Sequence, residues 1–270
     1  MSNKQHHGIL TFGEHLEILR KVLIKVFCVI VLFMILVFCL KDTIFKILLW
    51  PCDSNFLSFE LLRRGIHALG LNANIYPGSI ELITTDISSQ FMAHMSVSFY
   101  VGIMLASPYI LFELIKYISP ALYETEKKYT YQIFISVYLL FVVGMLVSYW
   151  ILFPISCRFL ATYNVSPNVK SLISLDSYMS LFISLTILMG LVFQLPILAI
   201  TMAKMGVIDH SMMATYRGHA FILIVIIAAI ITPPDVLTLI IVSFPLYLLY
   251  EASIVAVRIL CKKNIVEKSM

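Results

Sequence analysis

Long apolar blocks alternate with short charged ones along the whole chain, and the blocks set the elements. A bilayer core takes about 20 apolar residues of helix at 1.5 Å rise per residue. On that measure six helices are predicted: Val22–Leu40, Phe91–Lys116, Tyr131–Phe153, Tyr178–Met202, Gly218–Ile231 and Val236–Val257. The third carries no charge. The fifth is short for a crossing and implies local thinning, tilt or protein packing. Only "TPPD" (232–235) separates it from the sixth, and two prolines make that a turn. The pattern predicts an all-α, polytopic membrane protein.

Composition and charge sharpen this reading. Of 270 residues 60% are hydrophobic and 13% charged, and the mean hydropathy of +0.95 lies far above that of a soluble domain. The formal charge of +4 is spread over short loops, which argues against nucleic-acid binding. Thirteen of the nineteen Lys and Arg fall in the N-terminus, the 116–130 loop, the 203–217 loop and the tail. By the positive-inside bias these segments, and both termini, are cytoplasmic. The chain then divides into an amphipathic N-terminal segment (1–21), a six-span membrane domain (22–257) and a basic tail (258–270). The apolar run after Arg20 and Lys21 exceeds a signal peptide's apolar core of about 7–15 residues, so it is read as a retained first helix.

The longest outer loop, about 41–90, holds Pro51, Pro77 and Gly78. Its segment Phe56–Leu71 has a helix-like apolar period, which fits a helix lying on the outer membrane face and a packed loop equally. Five cysteines (Cys28, Cys39, Cys52, Cys157, Cys261) show no CxxC spacing and read as core or loop thiols, not metal ligands.

Polar groups at membrane depth are costly, about 2.5–3.5 kcal/mol for a charged residue on insertion scales, so each is a functional candidate. Glu113 and Glu251 lie near cytoplasmic helix ends and Asp235 at an outer turn, within reach of interfacial water. Gln194, in "VFQLP", lies well inside the fourth span, two residues before Pro196. Its amide can pair with the backbone, with a neighbouring helix or with a partner protein. In "GEHLEILRK" (13–21), Glu14, Glu17 and Lys21 share a helix face, which serves either as a salt-bridge ladder or as a landing site for a basic partner. The chain has no GxSxG, HExxH or glycine-rich phosphate loop, so catalysis, cofactors and metals are not expected.

"HLEILRKVL" (15–23), "SPYILFELIKYISPALYETEKKY" (107–129), "FP" (153–154), "FQLP" (193–196) and "ITPPDVLTLIIVSFPLYLLYE" (231–251) stand together in order. This series resembles the TatC family, the multispanning core of the twin-arginine, Sec-independent protein translocase. The resemblance implies a non-enzymatic receptor in the cytoplasmic (inner) membrane, embedded in the lipid bilayer. It would bind the paired arginines of signal peptides on folded cargo, and would work with single-span TatA and TatB-type subunits on the proton-motive force. A homo-oligomer is expected in the assembled complex.

Carried onto this chain, the signal-contacting carboxylate falls on Glu126, in the block that holds Pro120, Leu122, Tyr123 and Glu124. The N-terminal pattern maps its arginine to Arg20 and puts a glutamate at 18, where Ile18 stands. Glu17 is one place early, and one residue turns a helix by about 100°. The fourth span commonly carries a glutamate in the family, whereas this chain has Gln194. Pro51, Asp86, Asp235 and Glu251 fall on family-like positions, and Pro154, Pro233 and Pro234 are read as structural. A different class, a proton-coupled small-solute transporter using Gln194, Asp235 and Glu251, would be favoured by an internal repeat around a midplane site. No repeat is found.

Overall fold

The computed structural model describes residues 12–53, 56–60, 80–118, 130–163, 166, 172–232 and 235–268. Five helical stretches are long and apolar enough to cross a membrane, and a sixth, shorter apolar helix covers Arg217–Ile230. The chain divides into two compact units. One holds 1–40 with 98–135, the other 41–97 with 136–270.

In the first unit α1 (Phe12–Cys39) lies beside α3 (Ser89–Ile118), which enters this unit at Ser98. They touch at Gly102, where an added Cβ would fall 2.9 Å from the Met34 backbone N. Val37 is buried at 1% exposure, but much of α1 is open: Phe27 is 66% and Leu32 63% exposed. Apolar surface left this bare belongs against lipid tails. The start of α4 (Thr130–Val147) joins the unit through Phe134, whose ring meets that of Phe112 edge-on at 5.6 Å.

The second unit is built on a tight seam between α4 and α6 (Leu175–Val192). A Cβ on Gly144 would fall 2.5 Å from Met189 O, and one on Gly190 would fall 2.7 Å from the Phe141 ring. Ser148 and Thr186 share a buried hydroxyl contact at 3.3 Å further along the same seam. Small residues let two backbones approach where there is no water-driven collapse between helices.

Both partners of the seam are broken helices. The uncharged third span passes through a π turn (Ser148–Leu152), where Phe153 N–H reaches back to Ser148 O, and continues as α5 (Phe153–Thr162), nine residues beyond its predicted end. Pro154 has no N–H for the carbonyl one turn back, that of Trp150. The Ser58 hydroxyl donates to that carbonyl instead. The fourth span likewise breaks after α6 and resumes as α7 (Leu195–Lys204), with Pro196 in its first turn. Gly206, at φ +72°, closes α7: its N–H donates to Ala203 O and that of Val207 to Met202 O, both at 3.0 Å. Only glycine takes that left-handed position cheaply.

The described residues 41–53 and 56–60 form a packed cap. α2 (Lys41–Leu49) ends in a one-turn 3₁₀ helix, Trp50–Cys52, in which Pro51 is buried. The orphan carbonyls of α2 are taken by tyrosines: Tyr149 O–H donates to Ile47 O and Tyr178 O–H to Leu48 O, both at 2.7 Å. Phe56 stacks on Trp150 at 5.0 Å, and Arg158 lies over the Phe59 ring at 4.6 Å. Phe56 and Phe59 are therefore packed, while Leu57 is 47% exposed and 57–60 are helical; 61–71 lie outside the described residues. Strand β1 (Leu82–Ile83) pairs in parallel with β2 (Ile173–Ser174), a short ladder that joins the segments leading into α3 and α6. Ser174 then caps α6 by accepting from Ser177 N–H.

The chain ends in a short helix α8 (His210–Thr215), α9 (Arg217–Ile231) and the long α10 (Val236–Lys268). α9 spans about 22 Å at 1.5 Å per residue, short of the roughly 30 Å hydrocarbon core. α10 runs without a break from the sixth span through the predicted tail, packing along α7 and α9.

Two substitutions test this architecture. Gly144→Leu forces apart α4 and α6, because the obstacle is backbone and cannot rotate away; overpacking of this kind costs about 1–3 kcal/mol. Tyr178→Phe leaves the Leu48 carbonyl buried without its donor, costing about 1–3 kcal/mol. Both should lower the unfolding temperature of the detergent-solubilised protein, and an unchanged melting curve for Gly144→Leu would contradict the seam.

Candidate functional site

The acidic N-terminal face lies on the first turns of α1. Lys21 Nζ sits 2.8 Å from Glu17 Oε1, an i, i+4 pair with both side chains more than half exposed. Arg20 and Ile18 are exposed as well. The side chain of Glu14, and the whole block containing Pro120, Leu122, Tyr123, Glu124 and Glu126, lie outside the described residues. What is described are the block's flanks, α3 ending at Ile118 and α4 beginning at Thr130, which meet through Phe112 and Phe134 in the same unit as Glu17.

One carboxylate near these flanks departs from its expected setting. Glu113 was placed within reach of interfacial water, yet it is only 7% exposed. Tyr109, one turn earlier on α3, donates its hydroxyl to Glu113 Oε1 at 3.1 Å. A tyrosine four residues from a glutamate on a helix is the signal that would have found it.

Gln194 occupies the break between α6 and α7. Its side-chain amide donates to Val137 O on α4 at 3.1 Å and, at the 3.5 Å limit, to Gly190 O one turn back. With Phe141–Gly190, Gly144–Met189 and Ser148–Thr186 it completes one antiparallel row of contacts along the seam. Of the pairings open to it, the amide takes both the backbone and a neighbouring helix.

Glu251 is held by a two-point fork. Arg217 Nε donates to Oε1 at 2.7 Å and Nη2 to Oε2 at 3.0 Å. Tyr247 O–H adds a third bond to Oε1 at 3.1 Å, and Tyr250 O–H reaches Met213 O on α8 at 2.9 Å. The planar guanidinium matches a carboxylate in a way that lysine does not. Arg217 and Glu251 therefore tie the start of α9 to α10, while Tyr250 ties α8 to the same face.

Asp235 caps α10, accepting from Thr238 N–H at 2.6 Å. Asp86 is exposed and acts through its backbone: its N–H donates to Ser89 Oγ at 3.3 Å and its carbonyl accepts from Ser89 N–H at 3.2 Å, closing the turn before α3. Pro233 and Pro234 lie outside the described residues. In the 203–217 loop, Asp209 accepts from the Ser211 hydroxyl at 2.7 Å and pairs with His210 at 3.0 Å, bonds that hold its carboxyl well below the usual carboxylate range. Among the described residues no three His, Cys, Asp or Glu are gathered as metal ligands.

One family profile, Sec-independent protein translocase protein (TatC), matches residues 14–245. The chain belongs to the TatC family. A TatC protein of Blattabacterium sp. subsp. Periplaneta americana is 32% identical over 255 residues, 93% of this chain and 96% of that one. TatC of Aquifex aeolicus is 32% identical over 207 residues, 76% of this chain and 83% of that one. Two crystal structures of the twin-arginine translocase receptor TatC, one of them in DDM, superpose with TM-scores of 0.72 and 0.73. They are 30% and 29% identical, cover 91% and 90% of this chain, and are themselves 99% covered. The TatC fold of this chain is thus that of a polytopic membrane protein, as its apolar blocks predicted.

The Arg217–Glu251 fork yields a graded expectation. Arg217→Lys should retain the charge but lose the fork, and Glu251→Gln should retain the Tyr247 bond but lose the ion pair. Because both side chains are partly exposed, the coupling in a double-mutant cycle of Arg217→Ala and Glu251→Ala should be about 0.2–1 kcal/mol. Strictly additive effects on unfolding would show that the pair does not tie α9 to α10.

Proposed function

We propose that this TatC-family protein is the signal-peptide receptor of a twin-arginine translocase, binding folded cargo at its cytoplasmic face and exporting it with TatA and TatB-type subunits. The observation that carries the reading is the match, over nine-tenths of the chain, to a protein whose crystal structure is that of a twin-arginine translocase receptor. The role is one of recognition and assembly, without catalysis.

The recognition chemistry centres on Glu126. An arginine guanidinium docks on a carboxylate through two parallel hydrogen bonds, shorter and stronger than neutral ones. Two adjacent arginines call for two such acceptors, supplied by Glu126 with Glu124 or Glu17. Geometry supports Glu17 as the second. From the Met34–Gly102 contact, about 25 Å of helix leads back along α1 to Glu17 and on along α3 to Ile118, at 1.5 Å per residue. For two successive crossings, which run antiparallel, this distance supports a Glu17 level with Ile118, the last described residue before the block of Glu126. The Lys21 partner of Glu17 is no obstacle, since an exposed ion pair holds by only about 0.2–1 kcal/mol. Cargo arginine can displace it.

The solute-transporter alternative has less support. Asp235 and Glu251 sit on one helix about 24 Å apart, and each is engaged locally, as a cap and in a fork. Gln194 is bound within the α4–α6 seam. Three residues with three separate partners do not make a midplane site.

The test is export of a twin-arginine reporter together with photocrosslinking from positions 17 and 126. Glu126→Ala should abolish crosslinking and reduce export at least tenfold, Glu126→Lys more severely, and Glu17→Ala more mildly. A twin-lysine peptide should label poorly at 126. Equal labelling by both peptides, or undiminished export by Glu126→Lys, would remove Glu126 from the site.

A further inference from the structure

The described cysteines are of two kinds. Cys28 and Cys39 are exposed on α1, whereas Cys52 and Cys157 are buried in the cap of the second unit, at 9% and 5% exposure. Cys52 ends the 3₁₀ turn after α2, and its carbonyl is tied by Ile80 N–H at 3.0 Å. Cys157 lies one turn past Phe153, on the face that α5 buries.

These two segments pack on each other, and Tyr178 stands between them. Its ring meets Phe153 edge-on at 4.9 Å, its hydroxyl donates to Leu48 O at 2.7 Å, and the same hydroxyl lies against the Cys52 thiol. The Cys52 and Cys157 sulfurs lie within electrostatic range of each other and of the Arg158 guanidinium. A cation beside a thiol favours the thiolate, the form that attacks disulfides. Burial pushes the Cys52 thiol the other way, upward, so exchange belongs to moments when the cap opens, and the closed cap then shields the product.

We propose that Cys52 and Cys157 are a disulfide-forming pair that staples the first outer segment to α5, with a small-molecule or protein disulfide as the oxidant. One thiolate attacks the oxidant's S–S bond, forming a mixed disulfide and releasing one thiol. The second thiolate attacks the mixed disulfide at the cysteine sulfur, forming the Cys52–Cys157 bond and releasing the second thiol. The pair loses two electrons and two protons, and the oxidant takes up both. The positive-inside reading puts this cap outside, where oxidants of this class persist. The pairing itself does not depend on the receptor reading.

The test uses the full chain in membranes, as isolated and after treatment with oxidised glutathione. After acid quenching, free thiols are blocked with N-ethylmaleimide under denaturing conditions and peptides are read by mass spectrometry. The expected product is a Cys52 peptide joined to a Cys157 peptide, two hydrogens lighter than the pair. It should vanish on dithiothreitol and in Cys52→Ser or Cys157→Ser, and persist in Cys28→Ser. The oxidised protein should also unfold at a higher temperature than the reduced one, a gap that Cys157→Ser closes. Both cysteines recovered as maleimide adducts after glutathione treatment, or as separate glutathione adducts, would overturn the pairing.

Discussion

In a bilayer no water waits to satisfy a backbone group that the helix leaves unpaired, and each such group costs several kcal/mol. Much of the architecture answers that constraint wherever a helix stops or breaks. Pro154 withholds an N–H and Ser58 supplies a hydroxyl. α2 ends and two tyrosine hydroxyls take its carbonyls. α7 ends in a glycine turn that returns its last carbonyls to the chain, and Asp235 receives the first N–H groups of α10. The serine and tyrosine partners come from segments far apart in sequence, so satisfying those carbonyls also joins the elements, and the cap built on α2 is the clearest product of this.

Two polar residues that the sequence singles out, Gln194 and Glu251, are engaged by partners as well. Gln194 sits where a span breaks, and its amide bridges two helices by donating to Val137 O. Glu251 is neutralised by a guanidinium that matches both its oxygens. Apart from these anchors, helix association rests on close approach. Gly144 and Gly190 allow it in one unit, and Gly102 in the other. Large apolar side chains such as Phe27 on α1 and Phe244 on α10 are turned outward, toward lipid.

For a receptor, rigid parts and open charges have different uses. The α4–α6 seam, the cap on α2 and the Arg217–Glu251 fork hold the scaffold. The Glu17–Lys21 pair is an exposed, weak surface contact, which leaves Glu17 able to change partners at little cost.

Much of this was legible in the chain. Apolar block length set the order of the five long apolar stretches and of the shorter helix α9, because bilayer thickness fixes helix length. The shortness of α9 followed in the same way, whereas the break between α6 and α7 did not, because 178–202 reads as one span. The motif blocks, from "HLEILRK" to "TPPD", identified the family before any coordinates. Tertiary structure alone decided what the polar residues touch. Gln194 chose Val137, Glu251 chose Arg217, and Ser58 chose the carbonyl freed by Pro154. Hydropathy is a one-dimensional quantity, summed along a helix, and the bilayer reads it directly. A hydrogen bond between residues a hundred apart depends on how helices pack in three dimensions, and no local pattern records it.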